Sequence, residues 1–226
     1  MRRWLTIAIG CSILALLVFL GLARHERSMI RQDIEQTREA PARVNSFHFH
    51  YDGPNFLGNM PPMTQDVWVL CPSYRYEVTR VQGADVKKTV YFEGGYYAKT
   101  PEKWVKVPGV PSMPTVKGCG TLNASYGLGV PFDLDEMLGS HTTITVNSQP
   151  RTIAGDPCYD YTVAVPTGDV AKRSLIQNLC LNSDDHLPRE VKFHGWGADR
   201  DSVYTYDQWN KIDQPTFPEG FNPAML

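Results

Sequence analysis

His48 and His50 stand two residues apart in the segment NSFHFHY, residues 45–51. In an extended chain that spacing puts both imidazoles on one face. Such a pair can ligate a metal if a third ligand joins it, or can serve acid–base chemistry. His141, His186 and His194 stand at no spacing that completes a metal set. The pair therefore reads as strand histidines on a half-buried surface, with no metal and no cofactor expected. Asp184-Asp185-His186 reads as a solvated turn between strands. Asp133-Leu134-Asp135-Glu136 lacks the glycine and the bidentate glutamate of a calcium loop and reads as a helix start suited to the helix dipole. There is no G-x-S-x-G, and Gly139-Ser140-His141 reads as a helix end. No phosphate-cradling or dinucleotide fingerprint is present. Asn123-Ala124-Ser125 is a glycosylation sequon, meaningful only in a eukaryotic secretory route. An enzyme is not expected.

Four cysteines lie beyond residue 24: Cys71, Cys119, Cys158 and Cys180. None forms a C-x-x-C or a zinc-like Cys/His spacing. Residues 158–165 and 174–181 both read as strands, flanking the turn sequence Pro166-Thr167-Gly168-Asp169-Val170. A hairpin centred on Asp169 sets Cys158 directly opposite Cys180, within disulfide reach. Cys71 and Cys119 then pair with each other or stay free. Four buried thiols in a cytosolic domain are the competing reading; disulfides place the domain in an oxidising compartment.

The stretch from Trp4 to Ala23 carries no charge over twenty residues, about 30 Å of helix, which matches the hydrocarbon thickness of a bilayer. It is longer than a cleaved signal requires and reads as an N-terminal transmembrane helix, residues 1–27 forming an anchor or signal segment. Gly21-Leu22-Ala23 leaves cleavage open. Cys11 interrupts the apolar run and reads as a small residue inside the helix, in preference to a lipid-bearing cysteine. Arginines flank the run on both sides, so charge does not fix its orientation. Beyond it, residues 28–226 form one domain. The whole chain carries a net charge of -2 and no basic tract, which argues against nucleic-acid binding.

Arg24 to Ala40 is helix-permissive, with Met29, Ile30, Ile34 and Thr37 on one stripe, Ser28 as a cap and Pro41 at its end. The period then changes to two. Phe47, Phe49 and Tyr51 share a face opposite His48 and His50. Strands follow at 66–70, 73–81, 86–92, 96–99 and 103–107, with turns at Gln82-Gly83-Ala84-Asp85 and Glu93-Gly94-Gly95; Tyr74, Tyr76 and Val78 share a face. Residues 54–65 and 108–128 read as loops, and Phe132 to Ser140 as a capped helix. Further strands are expected at 142–147, in the hairpin, and at 189–194 and 202–211. About nine to eleven strands without βαβ alternation predict a mainly β (α+β), strongly curved antiparallel sheet with short helices.

The string from Leu181 to Phe193, LNSDDHLPREVKF, followed by Val203 to Lys211, VYTYDQWNK, and Pro215-Thr216-Phe217-Pro218, resembles the C-terminal part of the periplasmic lipoprotein-carrier superfamily of LolA/LolB-like half-barrel domains. Val44 to Tyr51 and Tyr91 to Val107 resemble its first strand and middle meander. The resemblance implies an unclosed antiparallel β-barrel wrapped over short helices, with an apolar cavity for acyl chains. The apparent spanning helix and the four cysteines depart from the soluble carriers and favour a fixed, tethered role.

Phe47, Phe49, Tyr51, Tyr159, Tyr161 and Trp209 are the candidate ligand-binding residues, or else they fill an ordinary core. The expected function is a membrane-tethered binding protein, its domain on the periplasmic or extracytoplasmic side. It would hold a lipid, lipidated peptide or other apolar ligand. The alternative is an envelope sensor or scaffold with a packed barrel that acts through an envelope protein partner.

Overall fold

A computed structural model of the chain describes residues 18, 30, 32, 33, 35–37, 39–54, 61–109, 143–165, 175–194 and 200–225. Apart from Val18, the expected membrane helix lies outside them, as do the expected helix at 132–140 and Cys119. No helix among the described residues is long and apolar enough to cross a membrane.

The described residues form twelve strands: β1 (Ser46–Gly53), β2 (Met63–Leu70), β3 (Tyr74–Val81), β4 (Ala84–Phe92), β5 (Gly95–Lys99), β6 (Trp104–Lys106), β7 (Thr143–Val146), β8 (Arg151–Ile153), β9 (Asp156–Val165), β10 (Leu175–Leu181), β11 (Pro188–His194) and β12 (Ser202–Asp207). Eleven of them run in the order β6-β5-β4-β3-β2-β1-β12-β11-β10-β9-β7, and β8 pairs with β9. Every pairing is antiparallel. The sheet is unclosed, with β6 and β7 at opposite ends of the order. The chain thus lays down two meanders and joins them through β1 and β12, the first and last strands.

Tight hairpins set the registers of the first meander. Val81 faces Ala84 and Phe92 faces Gly95, which leaves two-residue loops. Both residues of each loop have positive φ: Gln82 (52°) with Gly83 (79°), and Glu93 (45°) with Gly94 (81°). Such turns match the twist of the flanking strands, and glycine occupies the second position without steric cost.

The described positions between 30 and 39 are helical and run into a 3₁₀ turn at Ala40–Arg43. Ile30, Ala40 and Val44 join one core cluster with Phe47, Phe49, Val67, Tyr161, Leu179, Val191 and Tyr206. The helix therefore covers one face of the sheet, hereafter the inner face, and Tyr161 ties it down by donating a hydrogen bond to Asp33 (2.7 Å). A second cluster forms on the outer face of β3–β6, where Tyr74, Val90, Tyr97 and Trp104 pack with Phe221. The C-terminal segment crosses this face. Tyr74 donates to the Thr216 carbonyl (2.5 Å) and the Trp104 indole to that of Glu219 (3.3 Å), while Phe217 stands edge-on to Tyr74 and Phe92.

Four expectations change. Strand β2 begins at Met63, inside the expected loop, and pairs Gly53 of β1 with Met63. Strand β12 stops at Asp207 rather than continuing to residue 211, because Gln208 and Asn210 adopt positive φ (54° and 55°) and turn the chain. β8 was not expected; it pairs with β9 across Ala154-Gly155. In the β9–β10 hairpin, Leu175 faces Val165 and Leu181 faces Tyr159, so the register is displaced by two residues from the expected one. A displacement of two keeps every side chain on its face. Cys158 and Cys180 are accordingly diagonal neighbours instead of directly opposed. Their Cα atoms are 5.3 Å apart and they form the expected disulfide.

Candidate functional site

The inner face is built from in-register rows. One runs Val146–Tyr161–Leu179–Val191–Tyr204–Tyr51 across β7, β9, β10, β11, β12 and β1, all apolar or aromatic. It continues through Gln65 of β2, Thr79 of β3 and Lys87 of β4. A parallel row runs Tyr206–Phe49–Val67 and continues into Glu77 and Thr89. Thus the inner face changes from apolar to polar between β2 and β3 in one row and between β1 and β2 in the other.

Five of the six candidate ligand-binding residues, Phe47, Phe49, Tyr51, Tyr161 and Trp209, are buried in the main core cluster, and Tyr159 is partly buried against it. Trp209 enters from the turn after β12 and anchors itself by donating to the Pro188 carbonyl (3.1 Å). Its ring lies 5.1 Å from Phe47 and 5.4 Å from Tyr206. Tyr206, not singled out from the sequence, is the centre of this group. It is fully buried, contacts Phe47, Phe49 and Trp209, and its hydroxyl has no hydrogen-bond partner among the described residues. Burial drives the Tyr206 phenol far above its ordinary range, with Tyr204 adding to the effect. An unpaired buried hydroxyl costs about 1–3 kcal/mol. Tyr206→Phe keeps the ring and removes that cost, so a gain of about 1 kcal/mol in unfolding free energy is expected. A loss of stability in urea titration would mean that the hydroxyl has a partner.

His48 and His50 lie on the outer face, and each meets a carboxylate from a neighbouring strand. His48 Nδ1 is 2.6 Å from Asp207 of β12 and His50 Nδ1 is 2.8 Å from Asp66 of β2. Arg80 also binds Asp66 and reaches Asp85 (2.9 Å), which Lys88 approaches at 2.7 Å. Trp68 stacks between His48 (4.7 Å) and Tyr76 (5.2 Å). No metal-binding group of three or more His, Cys, Asp or Glu residues occurs among the described residues; the histidines join a chain of hydrogen bonds and Arg/Lys ion pairs that ties β12, β1, β2, β3 and β4 together.

Burial alone would raise the Asp66 carboxyl, but hydrogen bonds from His50 and Arg80, with their charges, outweigh it and hold the group below the usual carboxylate range. Because the folded-state value is the lower one, this stabilisation is complete above the unfolded value near pH 4 and is lost as pH falls through the folded value. The stability gap between the wild type and Asp66→Asn is therefore expected to narrow below about pH 4. Urea midpoints measured from pH 6 down to pH 2.5 test this; a gap independent of pH would contradict it.

The turn at Asp184-Asp185-His186 is more tightly held than a solvated turn. Asn182 Oδ1 accepts from the amides of Asp184 (2.8 Å) and Asp185 (3.2 Å). The buried Arg189 guanidinium binds Asp185 (2.7 Å) and Asp156 (2.8 Å). Two clefts open elsewhere among the described residues. One, of about 510 Å³, is polar and is bordered by Arg151, which binds Asp160 (2.8 Å) and Glu190 (2.6 Å). The other, of about 460 Å³, lies between Trp68, Tyr74 and Tyr76 and the C-terminal segment. None of the six candidate residues lines either cleft.

Cys71 is also disulfide-bonded; its expected partner, Cys119, lies outside the described residues. A disulfide between Cys158 and Cys180 belongs to an oxidising, extracytoplasmic compartment.

Comparison of this unclosed sheet with solved structures decides the fold. It is that of LppX, a Mycobacterium tuberculosis lipoprotein. The two share 16% sequence identity and a TM-score of 0.52, with 80% of this chain and 94% of LppX covered. LprF from Mycobacterium bovis follows with 15% identity and a TM-score of 0.48, over 84% of this chain and 96% of LprF. A LolA superfamily protein from Nitrosomonas europaea is matched over 82% of this chain and 97% of its own, at 8% identity and a TM-score of 0.28. The match to LppX thus bears out the expected unclosed antiparallel fold, and the fold alone. No family model and no curated protein matches the sequence.

Proposed function

We propose that this chain is a membrane-tethered, extracytoplasmic binding protein that holds a lipid, lipidated peptide or other apolar ligand against its inner face, with Phe47, Phe49, Tyr51, Tyr159, Tyr161 and Trp209 as contact residues. The observation that carries this reading is the apolar row from Val146 to Tyr51, six side chains in register on six strands. Among the described residues, the helix and the 3₁₀ turn that cover it place Ile30 and Ala40 in the core. An apolar ligand offers the same contacts as those side chains. Each buried CH₂ contributes about 0.8 kcal/mol, so one acyl chain suffices for useful affinity. The LppX-like fold and the disulfide are consistent with an envelope location. The apolar segment before residue 24 supplies the tether.

The test is extraction of the full chain from its native membranes followed by lipid mass spectrometry. A stoichiometric co-purifying apolar molecule is expected. Recovery of the protein without one favours the second reading, a packed scaffold that acts through envelope protein contacts. The complete burial of Phe47, Tyr51 and Tyr206 among neighbouring rings speaks for that alternative.

A further inference from the structure

Rows of side chains cross the outer face of β1–β5. One runs His48–Trp68–Tyr76–Val90–Tyr97, and the next Leu70–Tyr74–Phe92. The C-terminal segment is already seated on this surface. It carries Pro215 and Pro218 across it, and Phe217 packs edge-on to Tyr74 and Phe92. Two aromatic side chains each donate to one of its backbone carbonyls, Tyr74 to Thr216 (2.5 Å) and Trp104 to Glu219 (3.3 Å). The molecule thus shows what this face holds: a proline-bearing segment outside the strand ladder, gripped through its carbonyls by the polar tips of aromatic rings.

That segment covers only part of the surface. Between it and the rings of Trp68, Tyr74 and Tyr76 lies the cleft of about 460 Å³, and Phe217, still 37% exposed, forms part of its wall. The Trp68 indole N–H and the Tyr76 hydroxyl make no hydrogen bond among the described residues, and neither atom is buried. Trp68 is stacked between His48 and Tyr76, so its faces are occupied and its edge is what it presents. A saccharide that packs on an open indole face finds none here. Strand β3 lies between β2 and β4, so its backbone is spent on the ladders and the cleft takes no ligand by strand addition. It offers aromatic surface and side-chain donors, the indole nitrogen being a donor only. A proline-bearing peptide fits that offer. Its rings dock in aromatic-lined grooves, its carbonyls accept, and each proline brings no N–H to satisfy.

We propose that this cleft docks a proline-bearing segment of another envelope protein. Trp68 and Tyr76 donate to its carbonyls as Trp104 and Tyr74 donate to those of the chain's own C-terminal segment. The site continues an interface the molecule already contains. It lies on the opposite face from the apolar row, so it stands independently of the lipid-binding reading.

The full chain in lipid nanodiscs is titrated against a fluorescein-labelled proline decapeptide and, separately, a Gly-Ser decapeptide with the same label. Fluorescence anisotropy reads the affinity. The proline peptide is preorganised and is expected to bind about tenfold more tightly. Tyr76→Phe keeps the ring and its stack on Trp68 and removes only the donor. It is expected to weaken the proline peptide about fivefold with an unchanged urea midpoint, and Trp68→Phe to weaken it by a similar factor. No binding of the proline peptide, equal binding of the two peptides, or an affinity that neither substitution moves overturns the proposal. So does a wild type that light scattering shows to be a dimer where Tyr76→Phe is a monomer, since the cleft then belongs to a second copy of the chain. Each of these outcomes leaves the lipid-binding reading standing.

Discussion

Phe49→Ala is expected to destabilise the folded domain by about 3–5 kcal/mol. Phe49 is 1% exposed and lies on β1, which joins the two meanders. Its ring has centroid distances of 6.3 Å to Phe47, 6.1 Å to Tyr204 and 5.8 Å to Tyr206. Those neighbours are held by ladder pairs, Phe49 with Tyr206 and with Val67, so they cannot collapse into the space left by the ring. Transfer and cavity costs therefore add. Urea titration should show a lower midpoint with an unchanged slope. The outcome also bears on function. A ring that faces a ligand space is already half-solvated in the empty protein, and its truncation would cost about 1 kcal/mol or less. A small loss would thus show an open space at this position in the empty protein, and the expected large one that the ring is packed there until a ligand displaces its neighbours.

The period-two alternation of residues 46–51 was legible because the inner side chains Phe47, Phe49 and Tyr51 are aromatic and the outer ones, Ser46, His48 and His50, are polar. Strand β2 was only partly legible. Its inner side chains are Met63, Gln65, Val67 and Val69, and Gln65 breaks the alternation at the end that pairs with Tyr51. Pro61 and Pro62 immediately before it extended the apparent loop. In β3 the sequence showed that Tyr74, Tyr76 and Val78 share a face but not that this face is the outer one. That depends on the C-terminal segment, whose Phe221 reaches back to Tyr97 (5.2 Å) and Trp104 (5.3 Å). An amphipathic strand says which residues lie together; only long-range packing says which side is inside.

The candidate site shows the same division. The six aromatic positions follow from local periodicity and were found. The carboxylates that hold the histidines were not, since Asp207 is 159 residues from His48 and Asp66 is 16 from His50. The polar patch on β2–β4 carried no signal either. Arg75, Glu77 and Thr79 are ordinary residues for the wet face of a strand, and only the register that aligns them with Phe47, Phe49 and Tyr51 makes them part of an interior. Tyr206 could have been found by the period-two pairing of Tyr204 and Tyr206, which mirrors that of Phe49 and Tyr51.

Replacing both Cys158 and Cys180 by alanine is expected to cost about 3 kcal/mol, because the bond closes a loop of sequence separation 22 in the unfolded chain. For a domain of this size that corresponds to a fall of roughly 6–12 °C in Tm. The folded hairpin itself should survive, since β9 and β10 pair over seven residues, from Leu175 with Val165 to Leu181 with Tyr159. Arg151 further clamps β9 to β11 by binding Asp160 (2.8 Å) and Glu190 (2.6 Å). The loss thus lies in the entropy regained by the unfolded state, and near-native circular dichroism with a lowered midpoint is the expected result. Both sulfurs are fully buried, so a reductant reaches the wild-type bond only after local opening, and reduction of the native protein should be slow. A double variant that melts within about 2 °C of the wild type would show that residual structure already confines the unfolded chain as much as the disulfide does. Stability would then offer no reason for placing this domain in an oxidising compartment.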